Sequence, residues 1–140
     1  RHAAMMVHAG ETDVSTYFVM RLDSDGALAS SLTPTDFDLQ YTRSGATAST
    51  KVDATALGSV GAAHSDNTVI ECDSASSKGL YRIDWPDAAF ATGVREVILA
   101  VTTPTATELM RVEIDPPVNT RQINSANIIG DGNATPWDGA

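Results

Sequence analysis

The sequence predicts an all-β protein, an antiparallel β-sandwich of about seven short strands with one helical turn and an extended arm at each end. Three observations support this prediction. Apolar and polar residues alternate with a period of two through most candidate strands. Residues that favour turns separate these segments at short intervals. No segment keeps the period of an amphipathic helix over several turns.

The chain divides into three zones. Residues 1–11 are short and mixed, and they predict an N-terminal arm or an edge strand. Residues 12–115 form the predicted sandwich domain, which is long enough to bury a core of its own. Residues 116–140 begin with two prolines and show little periodicity, so they predict an extended C-terminal arm.

Two strands and one turn are predicted in the first part of the domain. Residues 17–22 alternate so that Phe18 and Met20 share one face, which indicates a half-buried strand. Residues 23–26 read Asp-Ser-Asp-Gly and predict the tight turn that follows it. Residues 37–42 alternate in the same way and predict a second half-buried strand.

The middle of the domain is less regular. Residues 49–54 predict an edge strand with Lys51 pointing outward. Residues 53–64 are rich in glycine, alanine and serine and predict a loop, with one helical turn near residues 54–57. Residues 68–72 predict a short strand.

Residues 79–85 predict a strand with one buried face. Tyr81, Ile83 and Trp85 fall on the same side of this strand and are expected in the core. Asp84 alternates with them and is therefore expected on the solvent side.

A helical turn and two further strands complete the domain. Pro86 cannot donate to a sheet ladder, but its fixed φ suits the start of a helix. Asp87 then lies in the first turn, where a negative charge interacts favourably with the helix dipole, and Gly93 can end the turn. The apolar run at 94–101 predicts a central strand, and the alternation at 108–115 predicts the last strand.

Composition limits the classes of partner. The formal net charge of −9 argues against nucleic acid and against an anionic membrane, because both need a basic surface. No run approaches the roughly 18 apolar residues of a membrane span. The single Cys72 cannot form an internal disulfide. The acidic balance suits solubility or a basic protein partner.

No motif points to catalysis, a cofactor or a metal, and we expect a protein that is not an enzyme. Residues 64–66 (His-Ser-Asp) have the residue types of a hydrolase triad, but neighbours in sequence cannot adopt its geometry. Residues 23–26 resemble half of a calcium loop without the glutamate that ends it. His2 and His8 lack the spacing of a zinc site.

Three further residue groups leave a binding role open. Asp84 and Asp87 flank Trp85 and, with Asp73, could form a sugar-binding or glycosidase site, although alternation favours the core for Trp85. Residues 133–135 match a glycosylation sequon, which nothing else in the chain supports. Trp137 is either a neutral end or an anchor for a partner surface.

Five segments in a fixed order carry a resemblance to a group of proteins. They are residues 16–22 with the Asp-Gly turn after them, 36–41, 79–93, 97–101 and 118–126. This order resembles a group of bacteriophage and prophage structural proteins, and the layout is also similar to the N-terminal immunoglobulin-like domain of phage baseplate upper proteins. The resemblance covers about residues 12–126. It implies an immunoglobulin-like sandwich without catalytic residues.

The function implied by this resemblance is that of a phage virion structural protein, made in the cytoplasm of the bacterial host and located in the virion. We expect a capsid decoration (cement) or head-fibre protein that forms a homo-oligomer and binds the major capsid protein or other virion proteins. Attachment is expected through both arms. The candidate contact residues are Met5, Met6, Val7, Val118, Ile123, Ile128, Ile129 and Trp137.

Two alternatives remain. The same module is expected in a tail-fibre or baseplate adaptor. A carbohydrate-binding surface module is the other possibility, with Tyr17, Tyr41 or Trp85 as a stacking platform. The last alternative requires at least two aromatic side chains exposed on one face.

Overall fold

A computed structural model describes residues 4–47 and 49–115. Within these residues the protein is a two-sheet β-sandwich of nine strands with two short 3-10 turns. The strands are β1 (Ala4–His8), β2 (Ser15–Val19), β3 (Asp38–Arg43), β4 (Thr50–Asp53), β5 (Thr55–Ala56), β6 (Thr68–Asp73), β7 (Ser77–Asp84), β8 (Glu96–Thr102) and β9 (Thr107–Asp115). The 3-10 turns are Pro34–Asp36 and Asp87–Phe90. The predicted all-β sandwich is confirmed, and the predicted arm at 116–140 lies outside the described residues.

The strands form a sheet of five and a sheet of four. The five-stranded sheet has the order β1-β9-β8-β3-β4, and the four-stranded sheet has the order β2-β7-β6-β5. Most neighbours are antiparallel, as predicted. Two pairs are parallel, namely β1 with β9 and β5 with β6, so both sheets are mixed. Parallel partners need a long connection. Between β1 and β9 it runs through the other strands of the sandwich, and between β5 and β6 it is the loop at residues 57–67.

The core lies between the two sheets and follows the predicted alternation. Trp85, Ile83 and Val112 are fully buried. The Trp85 ring packs at an angle against Phe18, with ring centroids 6.2 Å apart. The Trp85 indole nitrogen donates a hydrogen bond to the Thr16 hydroxyl at 2.7 Å, which satisfies its polar atom inside the core. The core interpretation of Trp85 is therefore confirmed.

The segment from β7 to β8 carries the chain from one sheet to the other. Pro86 precedes the 3-10 turn with φ of −72°, and Gly93 adopts φ of +110° after it. The Asp87 carboxylate accepts a hydrogen bond from the Asp13 backbone N–H at 2.9 Å. The Arg43 guanidinium donates to the carbonyl of Thr92 at 2.9 Å, so the five-stranded sheet also holds this corner. The predicted turn and the central position of β8 are confirmed.

The structure corrects one prediction about local structure and decides between the two alternatives of another. The helical turn expected near residues 54–57 is wrong, because β5 occupies this stretch and pairs with β6; Leu57 N–H, for example, donates to the Val69 carbonyl at 3.0 Å. At the N-terminus, residues Ala4–His8 form the edge strand rather than a free arm. Pairing with a distant strand decides both cases, and local composition does not encode that partner.

Candidate functional site

The most elaborate polar site in the described residues lies on the outer face of the four-stranded sheet. We call it the polar cluster, and it consists of Ser15, Ser65, Arg82 and Asp84. Arg82 and Asp84 both belong to β7 and both are buried. The Arg82 Nε lies 2.8 Å from Asp84 Oδ1, and Nη2 lies 2.9 Å from Oδ2. The pair is therefore bidentate, the strongest geometry for these groups.

The rest of the polar cluster ties a loop to the sheet. Arg82 Nη1 donates to the carbonyl oxygens of Val60 at 2.7 Å and Ala62 at 2.9 Å. Asp84 accepts from the Ser15 hydroxyl at 2.7 Å and from the Ser65 backbone N–H at 3.0 Å. The loop between β5 and β6 thereby covers the outer face of β7. The expectation that Asp84 faces solvent is wrong for this reason.

The electrostatics of the cluster favour the charged forms of both partners. Burial alone would raise the pKa of Asp84, but hydrogen bonds from Arg82, Ser15 and Ser65 outweigh it, and its pKa is lowered from the ordinary value. The hydrogen bond with Asp84 is the main cause that raises the pKa of Arg82. Because both Asp84 oxygens already accept hydrogen bonds from the protein, the arrangement suits holding a loop in place.

The residues of the His-Ser-Asp motif lie beside this cluster and are arranged differently from a triad. His64 Nε2 lies 3.1 Å from the Val14 carbonyl oxygen. His64 Nδ1 lies 3.5 Å from one carboxylate oxygen of Asp13 and 3.5 Å from one of Asp66. Ser65 contributes its backbone N–H to Asp84 and its carbonyl to the Thr68 hydroxyl. These contacts anchor the loop.

The acidic residues singled out in the sequence each hold a separate piece of backbone. Asp73 accepts from the N–H groups of Ala75 and Ser76, which lowers its pKa, and Asp87 accepts from Asp13. Within the described ranges 4–47 and 49–115, His, Cys, Asp and Glu side chains do not gather in threes at a position for a metal ion.

The turn at residues 23–26 forms the predicted hairpin. The Gly26 N–H donates to the Leu22 carbonyl at 2.8 Å, and Gly26 adopts φ of +78°. The Asp25 carboxylate accepts from the Ala27 backbone N–H at 3.0 Å. This carboxylate thus stabilises the turn itself.

The predicted contact residues of the N-terminal arm have three different environments. Met6 is 61% exposed on the outer side of the sheet. Met5 packs partly against the core. Val7 is only 4% exposed and belongs to the protein's own core, so it offers a partner no surface in this fold. The candidates of the C-terminal arm lie outside the described residues; they are Val118, Ile123, Ile128, Ile129 and Trp137.

The three aromatic residues proposed as a carbohydrate platform do not share an exposed face. Trp85 is fully buried. Tyr17 is 52% exposed on β2 of the four-stranded sheet, whereas Tyr41 is half-buried on β3 of the five-stranded sheet. The platform expected from these residues is therefore not formed.

Sequence reasoning missed one buried ion pair and one half-buried carboxylate. The Arg82–Asp84 pair had a signal, since residues two apart on a strand point to the same face and these carry opposite charges. Glu71 had none: its carboxylate accepts from the Ser30 hydroxyl at 2.8 Å, the Ser31 N–H at 2.8 Å and the Gly79 N–H at 2.9 Å. Two of these partners lie about forty residues away in the chain, where no local pattern points.

The edge formed by β1 and β9 places the first and the last described residues at opposite ends of one five-residue strand pair. Ala4 pairs with Arg111, and His8 pairs with Asp115. Because the strands are parallel, the chain enters β1 at one end of this edge and leaves β9 at the other. None of the helical turns in the part of the chain that the structure describes has the length and apolar character needed to cross a membrane.

Comparison with models of protein families, with curated proteins and with solved structures finds no match to this chain.

Proposed function

We propose that this chain is a non-enzymatic structural protein of a bacteriophage virion, a capsid decoration (cement) or head-fibre protein that attaches through its terminal segments. One structural observation carries the proposal most directly. The parallel pairing of β1 with β9 brings the chain in opposite Arg111, midway along β9, and takes it out past Asp115 at the C-terminal end of that strand. A module of this kind can connect two components, and the order of its segments resembles phage structural proteins.

The surface charge supports the same role. A net charge of −9 keeps copies of the chain apart in solution before assembly, because like charges repel. The same charge favours a basic partner surface. In this proposal the partners are the major capsid protein or other virion proteins, the chain acts as a homo-oligomer, and it is made in the host cytoplasm before it joins the virion.

Attachment is assigned to the two terminal segments. On the N-terminal side, Met6 is the candidate contact residue whose side chain is exposed. On the C-terminal side, the apolar residues named above follow directly after β9 in the sequence. A segment that follows an edge strand can extend across a neighbouring subunit and add backbone hydrogen bonds there.

Truncation at the C-terminus tests this proposal. A chain without residues 118–140 keeps every strand described here. Trp85 is then its single tryptophan, and because this side chain is buried in the folded protein, its fluorescence reports folding. We expect this variant to fold and to be absent from purified particles of the phage or prophage that encodes the chain. The full-length chain, expressed to the same level, is the matched control. Incorporation of the truncated chain at the control level would rule out attachment through this segment.

The N-terminal side needs a milder variant. Removal of residues 1–11 would delete β1 and take Val7 out of the core, so loss of attachment would be confused with loss of stability. Met6→Gln changes the exposed side chain and leaves the core intact. We expect it to weaken incorporation without changing the urea midpoint of unfolding.

A tail-fibre or baseplate adaptor is the second candidate, and the same parallel arrangement of the first and last strands favours it. Antibody labelling of purified particles in the electron microscope separates the two positions. Label on the head supports the decoration or head-fibre role, and label confined to the tail supports the adaptor.

A further inference from the structure

We infer that the β1–β9 pair makes this domain a load-bearing module that resists stretching between its two ends. Five residue pairs join the strands in register, from Ala4 with Arg111 to His8 with Asp115. Within the described residues the chain enters through β1 and leaves through β9, so tension applied at residues 4 and 115 reaches these two strands first. Resistance to force is a property beyond attachment itself.

The direction of the load decides how this pair breaks. Tension draws β1 toward its N-terminal end and β9 toward its C-terminal end, which are opposite ends of the same edge. The hydrogen bonds between the strands then shear together, because each is displaced along the strands at the same time. In a strand pair pulled apart from one end, the bonds break one after another. Simultaneous loading requires a higher force, since several bonds must yield in one step.

The strands beside the pair show that β1 is the strand that detaches under load. β9 is held on its other side by β8 through seven register pairs, whereas β9 is the one neighbour of β1 among the strands of the described residues. Three contacts fix the chain just after β1. Ala9 N–H donates to the Asp115 carbonyl at 2.8 Å, Gly10 N–H donates to the Phe90 carbonyl at 2.8 Å, and Asp13 N–H donates to Asp87 at 2.9 Å.

The register also shows which residues of β1 carry the load. In a parallel pair, alternate residues turn their backbone groups toward the partner strand. Ala9 donates to β9, so the backbone N–H groups of Met5 and Val7 point toward β9 as well, and the backbone N–H of Met6 points away from β9. A proline lacks the backbone N–H and is tolerated where that N–H faces solvent. Proline at Met5 therefore removes a load-bearing bond, and proline at Met6 does not.

Single-molecule force measurements on the full chain test the inference. Both proteins carry Cys72→Ser, so that handles attach at chosen positions. In the first, the handles are at the two termini. In the second, one handle is at Glu11→Cys, beside the end of the edge where β9 leaves the domain, and the other is at the C-terminus. We expect a clearly higher unfolding force for the first geometry. Equal forces in the two geometries would overturn the inference.

Two variants locate the resistance in the β1–β9 pair. With handles at the termini, we expect Met5→Pro to lose the high-force event and Met6→Pro to keep it. Loss in both variants, or in neither, would contradict the assignment. If Met5→Pro does not fold, the comparison of the two pulling geometries still decides, because it uses the unaltered strand pair.

The use of this resistance, to bear load between two virion components, rests on the proposed function, whereas the mechanical property does not. A force difference in a chain that never joins particles would reject the proposed function alone. Equal forces in a chain that does join particles would reject the load-bearing inference alone.

Discussion

The buried pair of Arg82 and Asp84 determines how the loop between β5 and β6 lies on its sheet. Each charge is removed from water, which is costly unless the partner charge and hydrogen bonds replace the lost hydration. Here Ser15, Ser65 and two loop carbonyls complete the shell. The pair therefore makes the position of the loop depend on two side chains.

Replacement of one partner should be severe. Asp84→Asn leaves the Arg82 charge buried without its counter-charge, and we expect a loss of about 3–5 kcal/mol in the free energy of unfolding. Urea denaturation measures it, followed by tryptophan fluorescence in a chain with Trp137→Phe, in which Trp85 is the single tryptophan. The matched control is Asp66→Asn, which removes a more exposed carboxylate from the same loop and should cost about 0.5 kcal/mol or less. Similar losses in both variants would show that the pair does not hold the loop.

The same pair gives a pH dependence. The pKa of Asp84 is lower in the folded chain than in the unfolded chain. Its contribution to stability is therefore present above the unfolded pKa of about 3.9 and is lost as the pH falls through the lower folded pKa. We expect the unfolding temperature to fall steeply below about pH 4, and less steeply in Asp84→Asn. Thermal unfolding from pH 6 to pH 2 checks this, and parallel curves for both proteins would contradict it.

At the scale of the elements, β7 is the strand on which the four-stranded sheet is built. It pairs with β2 on one side and β6 on the other. Gly79 lies in β7 at φ of +84°, where its backbone carbonyl accepts from Met20 N–H at 2.8 Å. A Cβ at this position would lie 3.0 Å from the Met20 carbonyl oxygen. The close approach of the two backbones requires glycine.

A matched pair of glycine variants tests that requirement. Gly79→Ala and Gly45→Ala both place alanine at a left-handed φ, which costs about 1–2 kcal/mol in either case. The space around Gly45 is open to 4 Å, so Gly45→Ala should cost no more than this. Gly79→Ala should cost clearly more, because backbone atoms must shift. Equal urea midpoints for the two variants would show that the contact with Met20 is not limiting.

The elements also show what the sequence could predict. Alternation identifies most strands correctly, because one buried face per strand is a local property that Phe18, Leu39 and Val112 reveal in their own segments. The parallel partners of β1 and β5 are not local. The β5 stretch Thr55–Ala56 is too short to show alternation, and only its pairing with β6 makes it a strand. The sequence predicts either an arm or an edge strand at residues 1–11 for the same reason, because only the pairing of β1 with β9 identifies it as a strand.

The polar cluster shows a second limit. The alternation that places Trp85 in the core also places Asp84 on the other face, and this part of the prediction is correct. What it cannot predict is that a loop of small residues covers that face. Burial of the second face depends on tertiary contacts such as those from Val60 and Ala62 to Arg82, which lie about twenty residues apart in the chain.

At the scale of the whole molecule, the described residues combine a buried core with a parallel pair of the first and last strands, β1 and β9. The core supplies stability, and the net charge of −9 favours solubility. Both features suit the proposed function, in which the module joins and holds other virion proteins.

Cross-linking mass spectrometry on purified particles tests this proposal most directly. The lysines of the chain are Lys51 and Lys78, so a reagent that couples its many carboxylates to lysines of its partners is the suitable choice. The account predicts cross-links to the major capsid protein from the side-chain carboxylates of the terminal segments, which are Glu11, Asp131 and Asp138. Particles that contain the chain without a cross-link to any head or tail protein, or particles that lack it altogether, would contradict the account.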